Sequence, residues 1–175
     1  RVYHLPMRHS QAARLASLPE ITRAFLQERA KNADLIHTHW TFTPENLHLA
    51  RLGVPYVNTP HGGYDVDAMR SRAALKAIWY PLLERPMLNG AGFMHALTQV
   101  EADRLRELGV RVPILVQGNP VDVPAQVTPW EARQHWTYIG RLSVEAKGLD
   151  RLVRAYAQAT GTGATLPPLK LVGPD

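Results

Sequence analysis

The sequence predicts an α/β chain of two domains, each built on a parallel sheet covered by helices. Three observations carry this. Short apolar runs alternate with segments of helical composition along most of the chain. Glycines such as Gly53 and Gly109 close the helical segments just before the next apolar run. Residues 118–130, "GNPVDVPAQVTPW", hold three prolines and little periodicity, the composition of a domain boundary. The expected domains are 1–124 and 125–175.

The elements follow in order. "DLIHTHW" (34–40) reads as a strand. A helix comes next, with Thr43 as cap, Pro44 in the first helical position and Gly53 as its end. "VPYVNTP" (54–60) is the second strand. Residues 66–88 have helical composition, with Pro81 and Pro86 set to break or kink them. "GFMHALT" (92–98) is the third strand. Thr98 and Glu101 then fit a capping box, in which the Glu101 carboxylate reaches back to the Thr98 N–H. "VPILVQG" (112–118) is the fourth strand. Past the proline-rich stretch come a strand at 135–139, a helix at 149–159 and a strand at 169–172. There is no internal repeat.

Composition narrows the function classes. Forty-five per cent apolar and 20% charged residues suit a globular domain, and no apolar run approaches the roughly 20 residues of a membrane span. The absence of cysteine excludes disulfides, thiolate metal sites and cysteine nucleophiles, and fits a reducing compartment. The net charge of +5 suits a phosphate-bearing ligand or an anionic membrane surface as well as a plain solvated surface. The basic residues are scattered without interleaved aromatics, so nucleic acid is not an expected partner. The chain opens on Arg1 rather than Met, and Asp175 follows an apolar run, so a piece of a longer protein is expected.

In open parallel sheets, ligands bind beyond the carboxyl ends of the strands. Four strand ends therefore matter. Gly140–Gly148 brackets Arg141, a planar fork, and Lys147, a point charge, between a strand and a helix. That arrangement suits a diphosphate if the loop folds back, and equally describes two solvent-facing cations. Neither a Walker loop nor a dinucleotide fingerprint is present. His37 and His39 alternate, so both imidazoles lie on one side of a strand; they form a metal pair, or one packs in the core while the other hydrogen-bonds. His61 precedes Gly62 and Gly63, where backbone can approach a ligand closely, or it is a turn histidine. Asp65 can orient a hydroxyl or serve the turn. Lys76 reads as solvated, and Glu101 as a cap.

The segments "DLIHTHW", "GVPYVNTPHGGYD", "HALTQVEADRLRELGV", "ILVQGNPVDVP", "YIGRLSVEAKGLDRLVRAYAQA" and "LKLVGPD", in that order, resemble the retaining glycosyltransferases of family 4. The resemblance implies the GT-B architecture of two Rossmann-like domains. Residues 1–124 would be the acceptor-side domain without its first strand and glycine-rich loop, and 125–175 the opening of the donor domain. It implies that Arg141 and Lys147 hold the diphosphate of a nucleotide-sugar donor and that His61 reaches the donor sugar. Gly62, Gly63, Asp65 and His39 are the further substrate-side candidates. Pro120 stands where the family's interdomain loop has a glycine, so no contact is carried onto Asn119.

The expected activity is transfer of a sugar to a hydroxyl acceptor with retained anomeric configuration, in polysaccharide or glycoconjugate synthesis. No cofactor or obligatory metal is expected. The implied partners are the nucleotide-diphosphate sugar, a sugar or lipid-linked acceptor, and an anionic membrane touched peripherally from the cytoplasmic side. The 175 residues alone are expected to be inactive. Two alternatives stand beside this: a metal-dependent hydrolase using His37, His39 and His61, with His95 and His135 as the later histidines, and a noncatalytic anion-binding module.

Overall fold

The computed structural model describes residues 2–6, 18–123, 125 and 135–174. The expected α/β class with parallel sheets holds. The chain divides into two compact units, Arg1–Val121 and Asp122–Asp175. Within the proline-rich boundary, residues 124 and 126–130 lie outside the described residues, as do 131–134 after it.

In the first unit, β1 (Ile36–His39), β2 (Tyr56–Thr59), β3 (Phe93–Ala96) and β4 (Ile114–Val116) form one sheet in that order, every neighbouring pair parallel. The strands fall inside the four expected runs. Helix α1 (Glu20–Ala30) precedes them and was not anticipated. All four residues of β2 are buried, as expected of a strand paired on both edges and covered on both faces. Tyr56, Leu88, Met94 and Leu105 anchor the apolar cluster on which the sheet rests.

Helix α2 (Pro44–Leu49) opens on Pro44 as expected, but Thr43 adopts the extended cap geometry without a side-chain cap bond. The expected helix of 66–88 is four pieces: α3 (Val66–Arg70), α4 (Ala73–Trp79), a π-helical turn (Tyr80–Glu84) and α5 (Arg85–Gly90). The break falls at Arg72, whose φ of +53° no continuous helix accommodates. Pro81 sits inside the π turn and Pro86 in the first turn of α5, within a helical run that continues through Glu84 and Arg85.

The π turn delivers Glu84 to the interior. Its side chain is fully buried and accepts from the Phe42 N–H at 2.6 Å, the Tyr64 hydroxyl at 2.8 Å and the Trp79 indole N–H at 3.0 Å. One carboxylate thus ties together the loop after β1, the turn after β2 and α4. Burial lifts its pKa above the ordinary glutamate range, while the three donors pull it back.

Helix α6 (Gln99–Glu107) corrects another expectation. Thr98 Oγ1 does cap it, accepting from Glu101 N at 3.1 Å. The Glu101 carboxylate does not return to Thr98. It accepts from Leu97 N and, across the fold, from Gly62 N, each at 2.7 Å. A residue assigned to capping alone therefore also fixes the turn that follows β2.

The second unit holds a two-stranded parallel sheet, β5 (Trp136–Ile139) with β6 (Leu169–Val172), and helices α7 (Val144–Lys147) and α8 (Leu149–Gly161). Among its described residues Leu149 alone is a buried apolar side chain, and Ile139 is 80% exposed. Among the described residues no helix is long and apolar enough to cross a membrane.

Candidate active site

The carboxyl ends of β1, β2 and β3 gather four histidines. His37 and His39 point to one side of β1, with ring centroids 4.3 Å apart, while Thr38 between them is buried on the other face. Neither ring packs in the core, which corrects the expectation that one would; both are exposed and both are hydrogen-bonded. His37 Nε2 meets Thr59 Oγ1 at 2.8 Å, and Thr59 Oγ1 meets His95 Nδ1 at 2.9 Å. His95 Nε2 in turn donates to Gln117 O at 2.8 Å. His95, which the sequence offered only as a later histidine of the hydrolase alternative, thus joins the site, and so does Thr59, which sequence reasoning missed. The signal was available in register: His39 pairs with Thr59 and His37 with Val57, which puts Thr59 at the strand end beside both rings.

His61 sits in the turn after β2. Gly63 N bonds Pro60 O at 3.1 Å, and both central residues have positive φ, +54° at His61 and +73° at Gly62. For a histidine that backbone is costly, on the order of 1 kcal/mol or more. The surroundings hold it: Gly62 N is fixed by Glu101, and His61 Nε2 meets His39 Nδ1 at 2.9 Å. The exposed Trp40 indole, 60% accessible and also at positive φ (+68°), lies 5.1 Å from the His61 ring. Its carbonyl accepts from Asn46 and Asn58, two buried amides that grip the loop after β1.

The glycines have separate reasons. Gly62 needs its left-handed φ, and the Asp65 carboxylate lies 3.0 Å from where its Cβ would stand. A Cβ on Gly63 would overlap the Thr41 side chain, so this position admits no side chain at all. Asp65 precedes α3 as an exposed residue and makes no side-chain cap bond. Lys76 is not a freely solvated lysine: its Nζ donates to Ala68 O and lies 4.9 Å from the Phe42 ring centroid. Burial, then Arg72, lowers its pKa.

In the second unit Gly140 ends β5, and Arg141 and Lys147 are both exposed. The loop between them folds back through α7, with Lys147 N bonded to Ser143 O at 3.1 Å. Four helical residues advance only about 1.5 Å each, which shortens the gap an extended loop would open. Gly148 (φ +65°) turns the chain into α8. Gly173 is a further position that sequence reasoning missed: its Cβ would collide with Gly140 O, so the two strand ends meet backbone to backbone.

Partial desolvation against the strand ends first, and the neighbouring imidazoles second, lower the pKa of both His37 and His39, exposed as the residues are. The unfolded chain therefore takes up protons that the fold resists. Stability from keeping these rings neutral is full above the ordinary histidine value of 6.5 and is lost as pH falls from there toward the lowered folded values. Glu84 acts in the opposite sense, since its raised pKa favours the fold on acidification. We expect the thermal midpoint of the His37→Asn, His39→Asn double variant to fall less than wild type's between about pH 7.5 and about pH 5.5. Equal falls would refute the assignment.

Strand-end imidazoles and a glycine turn lie where open parallel α/β sheets bind their ligands. Comparison with protein families sharpens this. A family model described as "glycosyl transferase 4-like domain" matches residues 1–120, all but the last residue of the first unit. The chain belongs to that family, and its activity is glycosyl transfer from a sugar donor to an acceptor. No curated protein matches the chain.

Proposed function

We propose that this glycosyltransferase takes its sugar from a nucleoside diphosphate and passes it to a hydroxyl acceptor with retention of configuration, in polysaccharide or glycoconjugate synthesis. The observation that carries the reading is His61. It is an imidazole held in a costly left-handed turn beyond the carboxyl edge of a parallel sheet, followed by two glycines that the turn and its packing require. In this reading His61 bonds a hydroxyl of the donor sugar, or the charge that develops on it. Arg141 and Lys147 hold the diphosphate.

The difficult step is departure of the nucleoside diphosphate, which gathers negative charge as the anomeric bond breaks. Cations and backbone N–H groups preset for that charge lower the barrier because they act more strongly on the transition state than on the bound donor. Residues 1–124 would serve the acceptor and 125–175 the donor. The net charge of +5 supports peripheral contact with an anionic membrane from the cytoplasmic side.

The hydrolase alternative loses its support in the geometry. His39 and His61 bond each other and His37 is tied to Thr59, so their nitrogens are not arranged to converge on an ion. Among the described residues no group of three or more His, Asp or Glu is placed to hold one.

A panel of nucleotide sugars assayed with the full-length protein tests the reading. One donor should be turned over, and His61→Ala should cut kcat by on the order of 10²-fold or more. Turnover of no donor, or turnover unchanged by His61→Ala, would overturn it.

A further inference from the structure

We propose that His39 is a positioning residue for His61, setting the direction and the tautomer of the ring offered to the sugar. This rests on the assignment of His61 to the donor sugar. The two rings lie at an interplanar angle of 26° with centroids 5.2 Å apart, far longer than the 2.9 Å between Nδ1 of His39 and Nε2 of His61. The rings therefore meet edge to edge, along a nearly in-plane hydrogen bond. One proton bridges them. It leaves Nδ1 of His61 and Nε2 of His39 outside the bond, one as donor and the other as acceptor when both rings are neutral.

The support for His39 is itself ordered. Gln117 O can only accept, so His95 carries its proton on Nε2 and its neutral Nδ1 accepts. The Thr59 hydroxyl must then donate to His95, which leaves its oxygen to accept from His37 Nε2–H. One carbonyl thus settles the proton positions of His95, Thr59 and His37 when the rings are neutral. The His37 ring, fixed in this way, lies 4.3 Å from His39. The backbone of His39 is held by Asn46 Nδ2, which donates to His39 O at 2.9 Å. The ring beside His39 and its own backbone are therefore anchored, and its side chain bonds the His61 ring.

Two variants of the full-length protein separate positioning from bulk. In His39→Asn the side-chain amide lies near the position of the imidazole Nδ1 and can keep the bond. His39→Ala removes it. Long-range ¹⁵N–¹H correlations at about pH 8, above the ordinary imidazole range, should show one His61 tautomer in wild type and in His39→Asn. In His39→Ala they should show shifted, averaged His61 nitrogens. With a donor in hand, His39→Ala should lower kcat by about 10²-fold with a much smaller change in KM, the cost of a misplaced reacting group, and His39→Asn should recover most of it. His61 nitrogen shifts unaltered by His39→Ala would overturn the proposal. If those shifts move but wild type turns over no nucleotide sugar, the positioning stands and the sugar reading falls.

Discussion

Alanine at Arg141 or at Lys147 is expected to lower kcat/KM for the donor by about 30- to 1000-fold, on the order of 2–4 kcal/mol of transition-state stabilisation. Both side chains are exposed, so neither substitution should move the melting temperature appreciably. That separation makes the experiment informative. The backbone at the two positions is set without the side chains: Gly140 N bonds Val172 O at 2.9 Å, Leu142 N bonds Pro174 O at 2.7 Å, and Gly148 N bonds Val144 O at 2.9 Å. The loop should therefore survive truncation, and any loss of rate belongs to the missing charge. Arg141→Lys should recover only part of the rate, because an ammonium keeps the charge but not the planar fork that grips two oxygens. Steady-state kinetics beside a melting curve make the check. Variants that turn over like wild type would remove the diphosphate assignment.

The largest stability effect should come from Glu84. Alanine there leaves three donors, Phe42 N–H, Tyr64 O–H and the Trp79 indole, facing a buried void. The expected cost is about 3–5 kcal/mol, the range for removing one partner from a buried charged network. Glu84→Gln should cost less, about 1–3 kcal/mol, because one oxygen still accepts while the amide N–H₂ turns a donor toward a donor. Denaturant unfolding measures both. Equal, small losses would mean that water replaces the carboxylate and that the three segments hold their places independently. Because Phe42 and Tyr64 flank the loops carrying Trp40 and His61, the glutamine variant should also weaken catalysis.

The strands were legible because their apolar runs are bounded by glycine and proline, and each observed strand falls within its expected run. Placing His61 and the His37–His39 pair at strand ends followed from the same reading. What stayed hidden depends on contacts between distant residues. Glu101 satisfies a local capping pattern, yet its carboxylate answers an N–H 39 positions away at Gly62. Thr59 looks like an ordinary strand residue until the register sets it between His37 and His95. The helix breaks at Arg72 rather than at Pro81 or Pro86, and the prolines instead lie in or next to the π turn that carries Glu84. A π turn shifts that residue's helical phase, and no local propensity encodes the shift. Gly173 reads as a turn glycine, and only its approach to Gly140 O explains it.

The most direct test of the account is the anomeric configuration of the first product, read by ¹H NMR as the full-length protein consumes its nucleotide-sugar donor. The account predicts a product of the same configuration as the donor, formed at a rate that collapses when His61 is replaced by alanine. An inverted product, or a retained one formed equally fast without His61, would contradict it.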